Sequence, residues 1–170
     1  MNNKEMSEKI NQMWKVGNVS ERYHNQIEAI IKPELLHGFI PIIKSLGFDH
    51  LSNVTCVDWI NEGHFDVTYN LWSYEHKLQM TIKVAVDRDK PEVSTIDAFW
   101  PQAQVYEREI HEMFGVKFLG NPDLTPLFLH NWQDIPPLRK DFDSEKYSIT
   151  AYAMIDDEGN SVLPKKGGAS

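Results

Sequence analysis

A chain of 170 residues, 41% hydrophobic and 11% aromatic, is long enough for one domain around a single hydrophobic core. Its formal net charge of −8 argues against a nucleic-acid binder, whose affinity draws largely on Lys and Arg neutralising phosphates. The single cysteine, Cys56, excludes an internal disulfide framework and, since a cluster normally needs about four thiolates, an iron–sulfur centre held by this chain alone. The opening MNNKEMSEKINQMW is polar and lacks the apolar stretch of a signal peptide. No apolar run approaches the ~20 residues of a membrane span. A soluble cytoplasmic domain in a reducing compartment is expected, one able to dock on something that is not soluble.

Met6, Ile10, Met13 and Trp14 stand at helical spacing before Gly17. They predict a short amphipathic helix that covers the domain's own core or docks on a partner. Ser20–Ile31 suits helix or strand through Ile27, Ile30 and Ile31. Pro33 reads as the first-turn proline of a helix to Leu46, with Leu35, Leu36, Phe39, Ile42, Ile43 and Leu46 inward, Gly47 past the end and a kink at Pro41. Val54–Ile60 is apolar on both parities, as in a strand covered on both faces. Phe65–Leu71 and Leu78–Val86 alternate with period two across a turn at Ser73–His76, which predicts an antiparallel pair with one face on the core. Val93–Ile96 suggests a further short strand. From Pro101 the period becomes helical, with Ala103, Tyr106, Ile110, Met113 and Phe114 on one side and a glycine stop at Gly115. The expected fold is α+β: a mostly antiparallel sheet with helices packed on it, plus a long extended C-terminal arm. The expected organisation is an N-terminal helical segment over 1–31, an α+β domain over 32–118, and an arm and tail over 119–170.

The densest stretch is Tyr106–Phe142, YEREIHEMFGVKFLGNPDLTPLFLHNWQDIPPLRKDF. Extended backbone outside a sheet finds few internal hydrogen-bond partners, so such a run points to a partner surface. Pro122, Pro126, Pro136 and Pro137 exclude a continuous helix and suit no central strand. Leu124, Leu127, Phe128, Leu129, Trp132 and Leu138 are too many large apolar side chains to leave in water, since burying one contributes about 1.5–3 kcal/mol. Arg139 and Lys140 are expected to set register through acids on a partner or on the preceding helix.

Within that helix, Glu107, Arg108 and Glu109 cannot all face solvent, because successive helical residues are about 100° apart. Arg108 is expected to pair with Glu112 at i,i+4, or one member of the triplet to pair with the arm or with another subunit. Glu107 and His111 share a spacing that can present two metal ligands, yet no HExxH follows and a surface ion pair is the plainer reading. The other histidines are scattered. Cys56, between Val54, Thr55 and Val57, reads as a buried inert thiol. No G-x-G-x-x-G or P-loop occurs, so nucleotide binding has no support in the sequence.

Glu107-Arg108-Glu109, Glu112-Met113-Phe114-Gly115, Asn121-Pro122-Asp123-Leu124 and Pro137-Leu138-Arg139-Lys140-Asp141-Phe142, with Gly47-Phe48, Asp58 and Phe99-Trp100-Pro101 upstream, resemble the respiratory complex I 30-kDa subunit family. That family includes the matching subunit of membrane-bound, energy-converting [NiFe] hydrogenases. Two departures, Asn121 where complex I members usually carry His and Thr125-Pro126 where Arg or Lys usually follows, look more like the hydrogenase branch. The resemblance implies a non-catalytic assembly subunit of the hydrophilic arm of an ion-translocating electron-transfer complex, peripheral on the cytoplasmic side of the cell membrane. No cofactor is expected in this chain; the [NiFe] centre and iron–sulfur clusters belong to partners, namely a large hydrogenase-like catalytic subunit, a small iron–sulfur subunit and a ferredoxin-like subunit. The interface is expected at Glu107, Arg108, Glu109, Phe114, Asp123, Leu127, Phe128, Trp132, Arg139, Lys140 and Phe142. The alternative is the same subunit of a complex I-type oxidoreductase passing electrons from NADH or another donor to quinone. A more remote one is a free-standing acid–base or metal-dependent enzyme using Glu107, Glu109 and His111.

Overall fold

The computed structural model describes residues 2–15, 18–152 and 159. Gly17, expected to stop the first helix, and the small-residue tail Gly167–Ser170 lie outside them. The chain divides into two compact units, residues 1–140 and 141–170. In the second, helix α4 spans Ser144–Tyr152, and Asp143 Oδ1 accepts the N–H groups of Glu145 and Lys146 at its start.

In the first unit, α1 (Asn3–Met13) opens with a capping box, Asn2 and Glu5 each accepting the other's backbone N–H, and buries Met6 and Ile10. The helical segment expected over 1–31 ends there. Asn18–Tyr23 and Gln26–Ile30 are strands β1 and β2, paired antiparallel. What resolves the ambiguity is a parallel neighbour: β2 lies beside β5, with Ile27 opposite Met80 and Ala29 opposite Ile82. Pairing with a strand about fifty residues away lies beyond any local pattern.

Helix α2 (Leu36–Ser45) follows a single 3-10 turn at Pro33–Leu35 and continues past Pro41. It buries Leu36, Phe39, Ile40 and Ile43. Strands β3 (His50–Trp59), β4 (His64–Ser73) and β5 (Leu78–Asp87) form the antiparallel body, and the five-stranded sheet runs β1-β2-β5-β4-β3. The β4–β5 hairpin follows the period-two reading, with His64 opposite Asp87 and Ser73 opposite Leu78. Phe65, Val67, Tyr69 and Leu71 face the core beside Met80, Ile82 and Val84. The opposite face carries a polar ladder: Asn70 Nδ2 donates to Asn53 Oδ1 at 2.8 Å, and Thr81 Oγ1 to Asn70 Oδ1 at 2.9 Å. β3 departs from expectation. It is an edge strand with one covered face, and Val57 and Trp59 are each 43% exposed.

Past the sheet, β6 (Glu92–Ser94), α3 (Ala103–Phe114) and β7 (Lys117–Leu119) form a β-α-β unit in which β6 and β7 pair parallel. Gly115 ends α3 at φ +82°, its N–H donating to the His111 carbonyl at 2.9 Å. Helices α1, α2 and α3 and one sheet face share one hydrophobic core, which reaches Trp100, Ala103, Ile110, Val116 and Phe118. The α+β expectation holds, with a sheet antiparallel at every pair except β2–β5. No helix among the described residues is long and apolar enough to cross a membrane.

Candidate functional site

The segment after β7 has almost no regular structure, as its prolines require. It nevertheless finds several internal partners, where few were expected for extended backbone outside a sheet. Helix α3 supplies them.

At its start, Asn121 Nδ2 donates to Glu107 Oε2 at 2.8 Å. Glu107 is fully buried and also accepts Thr95 Oγ1–H at 2.6 Å and Ile96 N–H at 2.9 Å. Burial raises its carboxyl above the usual range, against the pull of the Thr95, Ile96 and Asn121 bonds. Next, Arg108 donates to the carbonyls of Thr125 and, at 2.8 Å, Pro126, and pairs with Asp123 at 3.2 Å. Asp123 accepts the Thr125 hydroxyl at 2.6 Å and its N–H at 2.9 Å; these two bonds and Arg108 hold its carboxyl low. One turn on, Glu112 accepts three successive backbone N–H groups, from Leu127 at 3.1 Å, Phe128 at 3.0 Å and Leu129 at 2.6 Å. Slight burial would raise the Glu112 carboxyl, but the three amides and Arg108 hold it below its ordinary value. Arg108 and Glu112 thus both reach the arm, the second of the two pairings weighed for the triplet.

The far end of the segment is fastened to the sheet. Leu138 N–H donates to the Met113 carbonyl at 3.0 Å, and Lys140 N–H to Asp58 Oδ2 at 2.8 Å. Asp58, whose carboxylate is fully buried, also takes a two-pronged bond from Arg88, at 2.9 and 3.1 Å. Arg88 and Arg139 both lie over the Phe65 ring, 5.5 and 5.6 Å from its centroid, and Phe114 meets that ring edge-on at 6.2 Å. Of the cationic pair, Arg139 stacks on Phe65 and Lys140 meets Asp58 through its backbone N–H. Phe142 stands at 5.6 Å from Tyr147 in the C-terminal unit.

The arrangement leaves an open groove of about 520 Å³ between α3 and the segment, lined by His111, Glu112, Gly115, Leu124, Pro126, Leu129, Asn131, Trp132 and Pro136. Beside it stand Phe128, 59% exposed, and Leu138, 54% exposed, while Leu127 and Trp132 are half-buried. Glu109 is exposed, Glu107 is buried, and His111 Nδ1 lies 2.9 Å from the Val116 carbonyl. The three residues of the enzyme alternative therefore do not converge. Among the described residues, no three His, Cys, Asp or Glu side chains gather as a metal set. Burial, with Asp58 and Asp66 nearby, pushes the Cys56 thiol up to about 12, a proton-bound and unreactive state at neutral pH. Arg88 and Thr95 carry no local signal in the sequence, since their roles arise only from long-range neighbours.

The family model described as "Respiratory-chain NADH dehydrogenase, 30 Kd subunit" matches residues 29–148, so α1 and β1 lie ahead of the match. The corresponding subunit of the NADH-quinone oxidoreductase of Moorella thermoacetica is 36% identical over 118 residues, covering 68% of this chain and 80% of that protein. Its counterpart in the F420H2 dehydrogenase of Methanosarcina mazei is 36% identical over 104 residues, 58% of this chain and 63% of its own. Among solved structures, a chain of the membrane-bound sulfane sulfur reductase, an archaeal respiratory membrane complex, superposes with a TM-score of 0.83 at 25% identity and covers 98% of both chains.

Proposed function

This chain belongs to the respiratory-chain NADH dehydrogenase 30 kDa subunit family, and from that premise we propose that it is a non-catalytic assembly subunit that docks on a large catalytic subunit through the α3 face and the segment over it. It is a subunit of a complex I-like respiratory membrane complex. The observation that carries the docking reading is the division of labour along 120–140. Polar backbone groups of the segment are bound by Arg108, Glu112 and Asp58, while Phe128 and Leu138 point their apolar surface away from the core. A segment pinned by its backbone keeps large side chains outside at fixed positions, which lowers the entropy cost of binding. Exposed aromatic and aliphatic anchors beside a groove are the usual centre of a protein interface. Arg108, Asp123 and Arg139 then act as positioning residues, and Glu109, exposed on α3, stands free to meet a cation on the partner.

The test is replacement of Phe128 and Leu138 by Asp in the native complex. Loss of the subunit on affinity purification, with unchanged circular dichroism of the free chain, supports the reading; full retention overturns it.

For the complex itself, the proposed setting is peripheral on the cytoplasmic side of the cell membrane. The [NiFe] centre and iron–sulfur clusters would sit in a hydrogenase-like large subunit, a small iron–sulfur subunit and a ferredoxin-like subunit. This branch is proposed on the sequence departure at Asn121, whose amide donates to Glu107 within this chain. The competing setting is a dehydrogenase passing electrons to quinone, in line with the names of the Moorella and Methanosarcina relatives. Mass spectrometry of the native complex separates them. A large subunit with paired cysteines suited to nickel means hydrogenase, and one without them means dehydrogenase.

A further inference from the structure

Among the described residues β1 is the outermost strand on one side of the sheet, and one row of its backbone N–H and C=O groups has no strand beside it. Such a row is a template for pairing with another chain. In this protein the row is occupied by side chains of α1. Asn11 Nδ2 donates to the Val19 carbonyl at 2.8 Å, and Asn11 Oδ1 accepts Val19 N–H at 3.1 Å. These are the two bonds that one residue of an adjacent antiparallel strand would exchange with Val19. At the other end of the helix, Asn3 Nδ2 donates to the Tyr23 carbonyl at 2.7 Å.

The lengths agree. From Asn3 to Asn11 an α-helix rises about 12 Å. From Val19 to Tyr23 a strand advances about 13 Å. α1 therefore runs antiparallel along β1 and sets a side-chain amide against each end of the edge. Ser7, midway at the same helical spacing, is buried with its hydroxyl donating to the Lys4 carbonyl at 3.0 Å. Met6 and Ile10 anchor the helix in the core, which needs only an apolar stripe and does not call for asparagines in register with a strand. At the opposite edge, β3, the Tyr106 hydroxyl of α3 donates to the Ser52 carbonyl at 3.2 Å; both edge strands carry a register irregularity, at Glu21/Tyr23 in β1 and at Leu51/Asn53 in β3.

We propose that α1 is an edge guard that keeps the pairing edge of β1 closed, and that the partner it excludes is β1 of a second copy of this chain. Two copies of an open β1 can pair antiparallel about a twofold axis, the simplest closed arrangement for identical edges. Asn18–Tyr23 contains no proline to prevent it, and all its side chains but Val19 are exposed, so away from α1 few side-chain contacts hold the strand.

The test uses the full chain, with sedimentation over a concentration series and residue-resolved amide exchange. The wild type is expected to be monomeric. In Asn3→Ala/Asn11→Ala, measured at concentrations where the chain is monomeric, the Val19 amide should exchange at least tenfold faster while β4 and β5 amides keep their rates. Dimers should form at a concentration at least tenfold lower than for the wild type. Glu21→Pro, at a position of the same parity as Val19, should restore the monomer by removing an edge donor. Should the double variant fail to fold, Asn11→Asp is measured with the same readouts, since it keeps the acceptor for Val19 N–H and loses the donor. A dimeric wild type, unchanged Val19 exchange, a variant monomeric throughout, or dimers indifferent to Glu21→Pro would each overturn the proposal.

Discussion

Glu107 and Glu112 stand on one helix, and their surroundings move them in opposite directions. Glu107 is desolvated, so its folded carboxyl titrates above the unfolded value. Stability tied to it is present below the unfolded value and falls as pH rises through the folded one. Glu112 and Asp123 are held low, so their stability is present above the unfolded carboxylate range and lost as pH drops through their folded values. Acidification should therefore release the Asp123–Leu129 turn before the sheet; limited proteolysis across a pH series should show cuts in that turn first. Glu107→Gln should flatten the decline of stability above the ordinary carboxylate range, read from urea midpoints at successive pH values. Glu107→Ala should cost about 1–3 kcal/mol or more, because Thr95, Ile96 and Asn121 lose a buried acceptor together. That Glu107 lies inward could be suspected from three successive charges on an amphipathic helix. Its partners could not, since Thr95 and Asn121 approach only once β6 and β7 have paired.

Among the elements, two junctions decide where the 120–140 segment runs. Gly115 turns the chain at positive φ, and a Cβ there would sit 3.3 Å from Pro136 Cγ. Gly115→Ala should destabilise by about 1–2 kcal/mol from the left-handed backbone alone, measured by chemical denaturation. At the other junction, Asp58 joins β3, the Arg88 guanidinium and the Lys140 amide. Asp58→Ala removes the buried carboxylate from the partly buried Arg88 and from the Lys140 amide together, and should cost about 3 kcal/mol in the same assay. The β4–β5 hairpin was legible because period-two alternation over ten-residue strands is a strong local signal. β6 and β7, with three residues each, offer no period to count. The mixed parity of β3 suggested two covered faces, whereas Asp58 faces inward and Val57 and Trp59 face out, the reverse of what hydrophobicity alone assigns.

For the whole molecule, the same prolines and apolar residues that suggested an arm waiting for a partner also describe a segment tied down at home. Free chain should therefore show protected amides at Leu127–Leu129 in hydrogen exchange; rates matching an unfolded peptide there would contradict the Glu112 bonds. By itself the amino-acid order determined the class of fold, the helices α2 and α3, the central hairpin and the family signature, because each rests on short-range periodicity or on motifs contiguous in the chain. Only the tertiary structure decided the rest: β2 beside β5, Asn11 against Val19, Asn121 on Glu107, and Asp58 as the fastening of Arg88 and Lys140. Each of these joins residues distant in sequence or in separate elements, and a buried polar group chooses its partner by what remains within about 3 Å once the core has closed.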